Sequence, residues 1–261
     1  MKIAVITVNY HNQEETVACI KSFSKSKSGE SNLYFYVVDN GSTSNSFAHL
    51  TKNLAGVKII RSTTNLGFAG GNNLGIKQAL KDGADYVLLI NPDSLIDSKD
   101  FVSELLKENS DIAAPVIKYN KDGQNTYDFG GVVDHKFGRN THLTSRKLKL
   151  PSQLPDYFTG ACLLIKAKVF KRIGYLDDSY FLYYEDADFC LRAVKAGFTQ
   201  KIAIKAILFH HLSTTTSKLG KGKLWILAQS HLLFCRKHLS VMASPLYLIF
   251  NLFLRVKFFL G

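Results

Sequence analysis

"KIAVITVNYHNQEETVACIKSF", residues 2–23, opens on seven residues of β-rich, apolar character and turns at Asn9 into a polar segment with helical spacing. Asn12 can cap that helix with Glu15 completing a capping box, while Val17, Ile20 and Phe23 share one face. The unit repeats. "LYFYVV" (33–38), "VKII" (57–60) and "DYVLLI" (85–90) read as further strands, and "NNLGIKQALKDG" (72–83) as a helix ending at Gly83. The fourth strand stops at Asn91-Pro92. Such alternation makes an α/β fold, a mostly parallel central sheet with helices on both faces.

The second half is less regular. "IAAPVIKY" (112–119), "TYDFGGVV" (126–133), "YFTGACLLI" (157–165) and "KIAIKAILFHH" (201–211) read as strands, 134–149 as a basic loop, and 185–196 as a helix ending at Gly197. A helical segment is expected from about 219 to 239, and after Pro245 comes the apolar run "LYLIFNLFLRVKFFL". No repeat, low-complexity stretch or linker marks a boundary inside the chain.

At 261 residues, 46% apolar and 12% aromatic, the chain can bury one substantial core and is short for two independent ones. Lys and Arg outnumber Asp and Glu by 33 to 21, a net charge of +12, which points to an anionic partner. Cys19, Cys162, Cys190 and Cys235 lie far apart without C-x-x-C spacing, so neither a structural zinc site nor a disulfide framework is expected. The first strand has no apolar stretch long enough for a signal peptide, and a reducing cytosol fits the cysteine usage.

Ligands of open α/β sheets sit beyond the carboxyl ends of the strands. There the chain carries Asn9-Tyr10, "DNGSTS" (39–44), "STTNLGFAGGNN" (62–73) and "NPDS" (91–94). Asp39 suits an Asx turn, or equally acceptance of a hydrogen bond from a pyrimidine N–H. Gly67, Gly70 and Gly71 ahead of a helix either shape a tight turn or let a phosphate approach the backbone, with Asn72 and Asn73 adding neutral donors and acceptors. Asp93 is either a helix cap or one ligand of a metal, completed by a substrate diphosphate and by His210 or His211. No glycine follows the first strand, which excludes a Rossmann dinucleotide site; a P-loop is absent too. In "YYEDADFC" (183–190), Glu185, Asp186 and Asp188 stand in the first turn of a helix, where the macrodipole favours acids and Asp188 can pair with Arg192. Glu185 and Asp186, however, directly follow the aromatic run "YFLYY", of a kind that lines substrate pockets.

Taken in order, "VITVNYHN" (5–12), "VVDNGSTS" (37–44), "NLGFAGGNNLG" (65–75), "LLINPDS" (88–94), "GACLLIKAKVFKRIGYLDDSYFLYYEDADFCLRAVKAGF" (160–198) and "HHLSTTTS" (210–217) resemble family 2 glycosyltransferases of the GT-A fold, in the rhamnosyltransferase-like branch. The resemblance implies a catalytic domain over 1–217, with residues 1–95 binding the nucleotide sugar and residues 96–217 the acceptor, followed by a helical, membrane-associating segment over 218–261. It implies that Asp39 binds the donor's pyrimidine beside Thr7, Asn9 and Gly41. Asn65, Gly67, Gly71, Asn72 and Asn91 would contact the nucleotide sugar. Asp93 and His210 would serve a divalent ion, Mg²⁺ or Mn²⁺, with His211 as the other candidate histidine. Asn91-Pro92-Asp93 stands where many relatives carry Asp-x-Asp.

The implied reaction is inverting. Asp186, as general base with an ordinary carboxylate pKa near ~4, takes the acceptor proton, and Glu185 orients the acceptor or the base. The implied partners are a dTDP- or UDP-sugar, dTDP-rhamnose first, and a glycan or polyprenyl-diphosphate acceptor of bacterial cell-surface polysaccharide synthesis. The tail "SPLYLIFNLFLRVKFFLG" (244–261) is interrupted by Asn251, Arg255 and Lys257 and is too short to span a bilayer. It suits shallow burial in an anionic leaflet, as a peripheral enzyme on the cytoplasmic face would need. Two other classes share the charge balance: a sugar nucleotidyltransferase, which needs a basic phosphate loop not found here, and a nucleic-acid-binding protein using "KFGRNTHLTSRKLK" (136–149), whose stacking modules are not recognisable. No nucleic-acid partner is expected.

Overall fold

The structure, a computed structural model, describes residues 1–96, 98–210 and 220–239. The first half alternates as expected: β1 (Lys2–Asn9), α1 (Gln13–Phe23), β2 (Asn32–Asn40), α2 (Ser44–Asn53), β3 (Lys58–Ser62), α3 (Gly67–Lys81) and β4 (Tyr86–Ile90). Then follow β5 (Ser94–Leu95), α4 (Phe101–Lys107), β6 (Ile112–Lys121), β7 (Gln124–Val133), β8 (Asn140–Ser145), β9 (Cys162–Lys166), α5 (Ala167–Ile173), α6 (Glu185–Lys195), β10 (Gln200–His210) and α7 (Gly220–His238).

All ten strands join one sheet of order β3-β2-β1-β4-β9-β6-β10-β5, with the β7-β8 hairpin branching from β6. The β3-β2-β1-β4 half is parallel throughout, as right-handed strand-helix crossovers dictate. Beyond it the sheet is mixed: β9 runs antiparallel to both β4 and β6, whereas β10 is parallel to β6. Strand β6 pairs with β9 only through Ile112 and Ala113, then with β7 from Ile117 onward. That change of partner opens the sheet beyond the start of β9.

Period-two alternation explains why both faces are covered. Ala4 and Ile6 of β1, with Val87 and Leu89 of β4, face Ile76 and Ala79 of α3 and Phe189 of α6. Ile3, Val5, Leu88 and Ile90 face Cys19 and Phe23 of α1 and Phe101 and Leu105 of α4.

Four expectations are corrected here. The Asn12 side chain makes no cap bond, so the capping box does not form; instead the Thr16 hydroxyl, like its backbone N–H, donates to the Asn12 carbonyl. The glycine-rich stretch is not a loop ahead of a helix but the first turns of α3, which begins at Gly67. Its glycines bring helix and sheet together, since a Cβ on Gly75 would stand 2.5 Å from Ile6 Cγ2 and one on Gly71 2.9 Å from Val8 Cγ1. The stretch 134–149 is no simple loop, because β8 pairs with β7 across a bulge between Asp128 and Gly131. Strand β9 begins only at Cys162, since the Gly160 N–H turns away to Asp186.

Among the described residues no helix is long and apolar enough to cross a membrane. The tail 244–261, His211 and most of "HHLSTTTS" lie outside the described residues.

Candidate active site

At the carboxyl ends of β1 and β2 the buried Asp39 takes a hydrogen bond on Oδ1 from Asn9 Nδ2 at 3.0 Å, and its Oδ2 lies 3.6 Å from Arg61 Nε. The carboxylate is therefore not spent on its own turn. Oδ2 is buried without a hydrogen-bond partner, as is Oγ1 of Thr7 on the neighbouring strand. Buried polar atoms of this sort need a partner, and here they share one edge of the sheet. Asn9 is already engaged: besides Asp39, its amide reaches Ser42 Oγ and Ser46 Oγ, and its Oδ1 accepts from Thr16 Oγ1. It positions Asp39.

Asn40 and Ser42, which are absent from the sequence-based candidates, complete this end. Asn40 Nδ2 donates to Asn65 Oδ1 and to the Gly67 carbonyl, while its Oδ1 accepts from Leu66 N–H. Gly41 fits because a Cβ there would meet the Asn65 nitrogen at 2.5 Å, with φ at +78°. Asn72 and Asn73 turn inward: their amides donate to the Phe68 and Leu176 carbonyls. Gly71 backs onto Val8 and Asn40, away from any opening.

The other half is a cavity of about 650 Å³ where the sheet opens. It is lined by Asn91, His210, Glu185 and Asp186, with Phe68, Asn140, His142, Tyr157, Gly160 and Lys223 among the remaining walls. His210, expected at the metal, and Glu185 and Asp186, expected at the base, are far apart in the chain and meet in one cleft, whereas Asp93 is not part of its lining. The β2-end cluster does not belong to that lining. The two are bridged where Phe68 N–H donates to the Phe181 carbonyl at 2.7 Å, joining the start of α3 to the segment ahead of α6.

His210 Nε2 lies 3.1 Å from Asp93 Oδ1 and 3.3 Å from Asn91 Nδ2, and Asn91 Oδ1 is buried without a partner. One carboxylate and one imidazole in contact, with an orphan amide oxygen beside them, fit a partial shell for a divalent ion. Among the described residues no group of three or more His, Cys, Asp and Glu side chains could hold a metal by itself. The remaining ligands would have to come from an oxygen-rich substrate.

Asp186 Oδ2 accepts from Gly160 N–H at 2.9 Å and Oδ1 from Ala187 N–H at 2.8 Å. Burial raises its pKa, opposed by those two N–H groups and by His142, so the expectation of an ordinary carboxylate is corrected upward. Glu185 is pushed well above the usual range, first by burial and then by Asp186. Two adjacent acids in one site disfavour each other's charge, and burial weighs most heavily on Glu185. Asp188 is structural, as its pairing suggested: Arg192 Nε sits 2.7 Å from Oδ2, and His238 Nε2 of α7 2.8 Å from Oδ1.

Just ahead, Tyr183 and Tyr184 adopt φ of +72° and +71°, a left-handed backbone that costs about 1–3 kcal/mol per residue. Helix α7 holds it. Phe234 packs on the Tyr184 ring at 5.0 Å and Ser230 Oγ donates to the Leu182 carbonyl. Asn140 and His142 escape the sequence-based candidates because 134–149 reads as a loop there, and "NTHLTS", with Leu143 as its one apolar residue, carries no strand period that could have found them.

The family model described as glycosyl transferase family 2 matches residues 4–174. Over 199 residues the chain is 33% identical to a low-salt glycan biosynthesis hexosyltransferase of Haloferax volcanii, covering 73% of this chain and 61% of that one. It is 25% identical over 194 residues to a dTDP-rhamnosyl transferase of Shigella flexneri, covering 73% and 64%. The matches thus span less than two thirds of either relative's length. A mannosyltransferase of Pyrobaculum calidifontis, solved with GDP-mannose and Mn²⁺, shares the fold with a TM-score of 0.62 at 13% identity, over 90% of this chain and 64% of that one. The matched run exceeds half of the 261 residues, and it holds the β2-end cluster, Asn91 and Asp93; with the GT-A architecture around them, the chain belongs to glycosyltransferase family 2.

Proposed function

We propose that the protein transfers a sugar, with inversion, from a nucleoside-diphosphate donor to an acceptor hydroxyl. The observation that carries this reading is the cleft itself, whose lining holds Asn91 and His210 together with Glu185 and Asp186, with Asp93 behind it in contact with His210. Asp186 takes the proton of the acceptor hydroxyl as its oxygen bonds to the anomeric carbon, and the bond from that carbon to the diphosphate breaks on the opposite face. The two backbone N–H groups that fix Asp186 leave free lone pairs on both oxygens for that hydroxyl. Glu185 orients the acceptor. A divalent cation, Mg²⁺ or Mn²⁺, held by Asp93 and His210 would offset the negative charge of the leaving diphosphate. Asn91 Oδ1 lies beside the same group.

Asp39 Oδ2 and Thr7 Oγ1 favour a pyrimidine nucleotide, since an imide N–H can donate to a buried carboxylate oxygen that has the Arg61 charge nearby but accepts no hydrogen bond. The Shigella relative acts with dTDP-rhamnose by its name, which makes that donor the first to try and UDP-sugars the next. A lipid-linked glycan acceptor of cell-surface polysaccharide synthesis accords with the basic, apolar tail and with a peripheral place on the cytoplasmic face of the membrane.

The test is a thermal-shift panel of nucleotide sugars with Mg²⁺ and Mn²⁺, followed by transfer assays. A donor at a hundred times its Kd should add about 2.7 kcal/mol of stability. Asp186→Asn should bind that donor as well as the wild type and lose transfer by about 10²-fold or more. Asp93→Asn should lose the metal-dependent share of the shift. Near wild-type turnover in folded Asp186→Asn would refute the base, and an unchanged metal titration in Asp93→Asn would refute the metal ligand.

A further inference from the structure

The side of the cleft facing Asp186 carries an ion pair that the proposed reaction has not used. His142, on β8, presents Nδ1 to Asp128 Oδ2 of β7 at 2.7 Å. Asp128 is fixed in turn, its Oδ1 accepting from Gly130 N–H at 2.9 Å. That bond depends on the bulge between Asp128 and Gly131, where Gly130 has φ of +103° and the Tyr157 ring occupies the space a side chain on Gly131 would need. His142 packs at 6.0 Å from that same Tyr157 ring, edge on, and both line the cavity with Asp186. A histidine so anchored can offer only its other ring edge to the cleft.

We propose that His142, held by Asp128, is the counter-charge of the Asp186 carboxylate: a positioning residue that acts on the reaction through the base and not by touching the sugar. The inference rests on the reading of Asp186 as general base and adds what keeps that base ready. Asp186 has two acids on its own helix, Glu185 and Asp188, and Tyr157 and Tyr184 stand near it, so beyond the two backbone N–H groups that it accepts from, its neighbours on these elements do not favour a negative charge. The basic side chains in the cavity lining are His142 from β8, His210 from β10, which is engaged by Asp93 and Asn91, and Lys223 from α7. Of these, His142 is the one whose charge acts on Asp186 and is acted on by it, and the Asp128 bond raises its pKa first, ahead of any effect of Asp186. The Asp128 bond thus favours the charged form of His142 through the fold itself, before any substrate arrives.

The experiment needs no sugar. The side-chain carboxyl of Asp186, identified in ¹³C-aspartate-labelled protein by its loss in Asp186→Asn, is titrated by NMR in the wild type, His142→Gln and Asp128→Asn. The midpoint should move to higher pH in both variants and return in His142→Lys, which restores the cation. An unmoved midpoint in folded His142→Gln overturns the inference. Should that variant fail to fold, the reciprocal titration decides: the His142 ring must titrate at lower pH in Asp186→Asn than in the wild type, and an unchanged ring overturns the inference equally. Transfer then gives the functional readout. On the acid side, turnover of His142→Gln relative to wild type should fall about tenfold for each unit by which the Asp186 midpoint rises. Because the NMR titration is independent of turnover, failure of the counter-charge and failure of the base assignment are separate results.

Discussion

Glu185 shows how little a carboxylate's neighbours in sequence say about its state. The three acids within 185–188 look alike in the chain, yet burial leaves Glu185 with an unpaired Oε2, Asp186 with two backbone donors, and Asp188 between Arg192 and His238. The consequence for Glu185 can be measured. Its folded pKa lies above the unfolded value, so the stability it contributes is fully present below the ordinary glutamate range and is lost as pH rises through the raised value. Glu185→Gln removes an acid whose ionisation favours the unfolded chain, while keeping an acceptor. It should therefore raise stability at pH 8 by about 1 kcal/mol, or ~2–4 °C in melting temperature, and show no gain below pH ~4. Melting curves of both proteins across that range check the sign, and a variant less stable at pH 8 would count against a protonated Glu185. A loss of acceptor use should accompany the gain.

Helix α7 is the clearest case of a segment whose role comes from its docking. Phe234 is fully buried and touches both the Tyr184 ring and the His238 ring, at 5.0 and 4.7 Å. Its neighbours Val133, Tyr157, Tyr180, Ala187 and Cys190 belong to β7, the approach to β9, the approach to α6 and α6 itself. Removing the ring in Phe234→Ala should cost about 3–5 kcal/mol and free the strained Tyr183–Tyr184 backbone. The expected signature is a lower denaturation midpoint with a raised acceptor KM, while the donor still gives its thermal shift, because the β2-end cluster takes no share in this packing. Equal losses of donor and acceptor binding would mean that α7 supports the whole cleft rather than its acceptor wall.

The chain as a whole carries +12, and α7 leaves Leu224 65% exposed a residue away from Lys223. Together with the cations of the tail, this predicts salt-sensitive binding to anionic vesicles that is lost when residues 241–261 are removed. Flotation of the two proteins decides it, and a truncated protein that still floats would place the anchor elsewhere. The parallel half of the sheet, its helices and the family were legible in the chain, because strand and helix periods and the motif order are local properties. Asp39, Asn91 and Asp93 were legible too, standing where a strand ends. What packing alone decided is the rest. Gly67 to Asn73 became helix because Gly71 and Gly75 let α3 press onto β1 and β2, and β8 formed because a bulge gave it a partner in β7. Neither contact is visible in a local window. The raised pKa values of Glu185 and Asp186, and the pairing of His142 with Asp128, likewise follow from desolvation and from groups brought together across the sheet, and the free energy of a charge depends on what surrounds it in space.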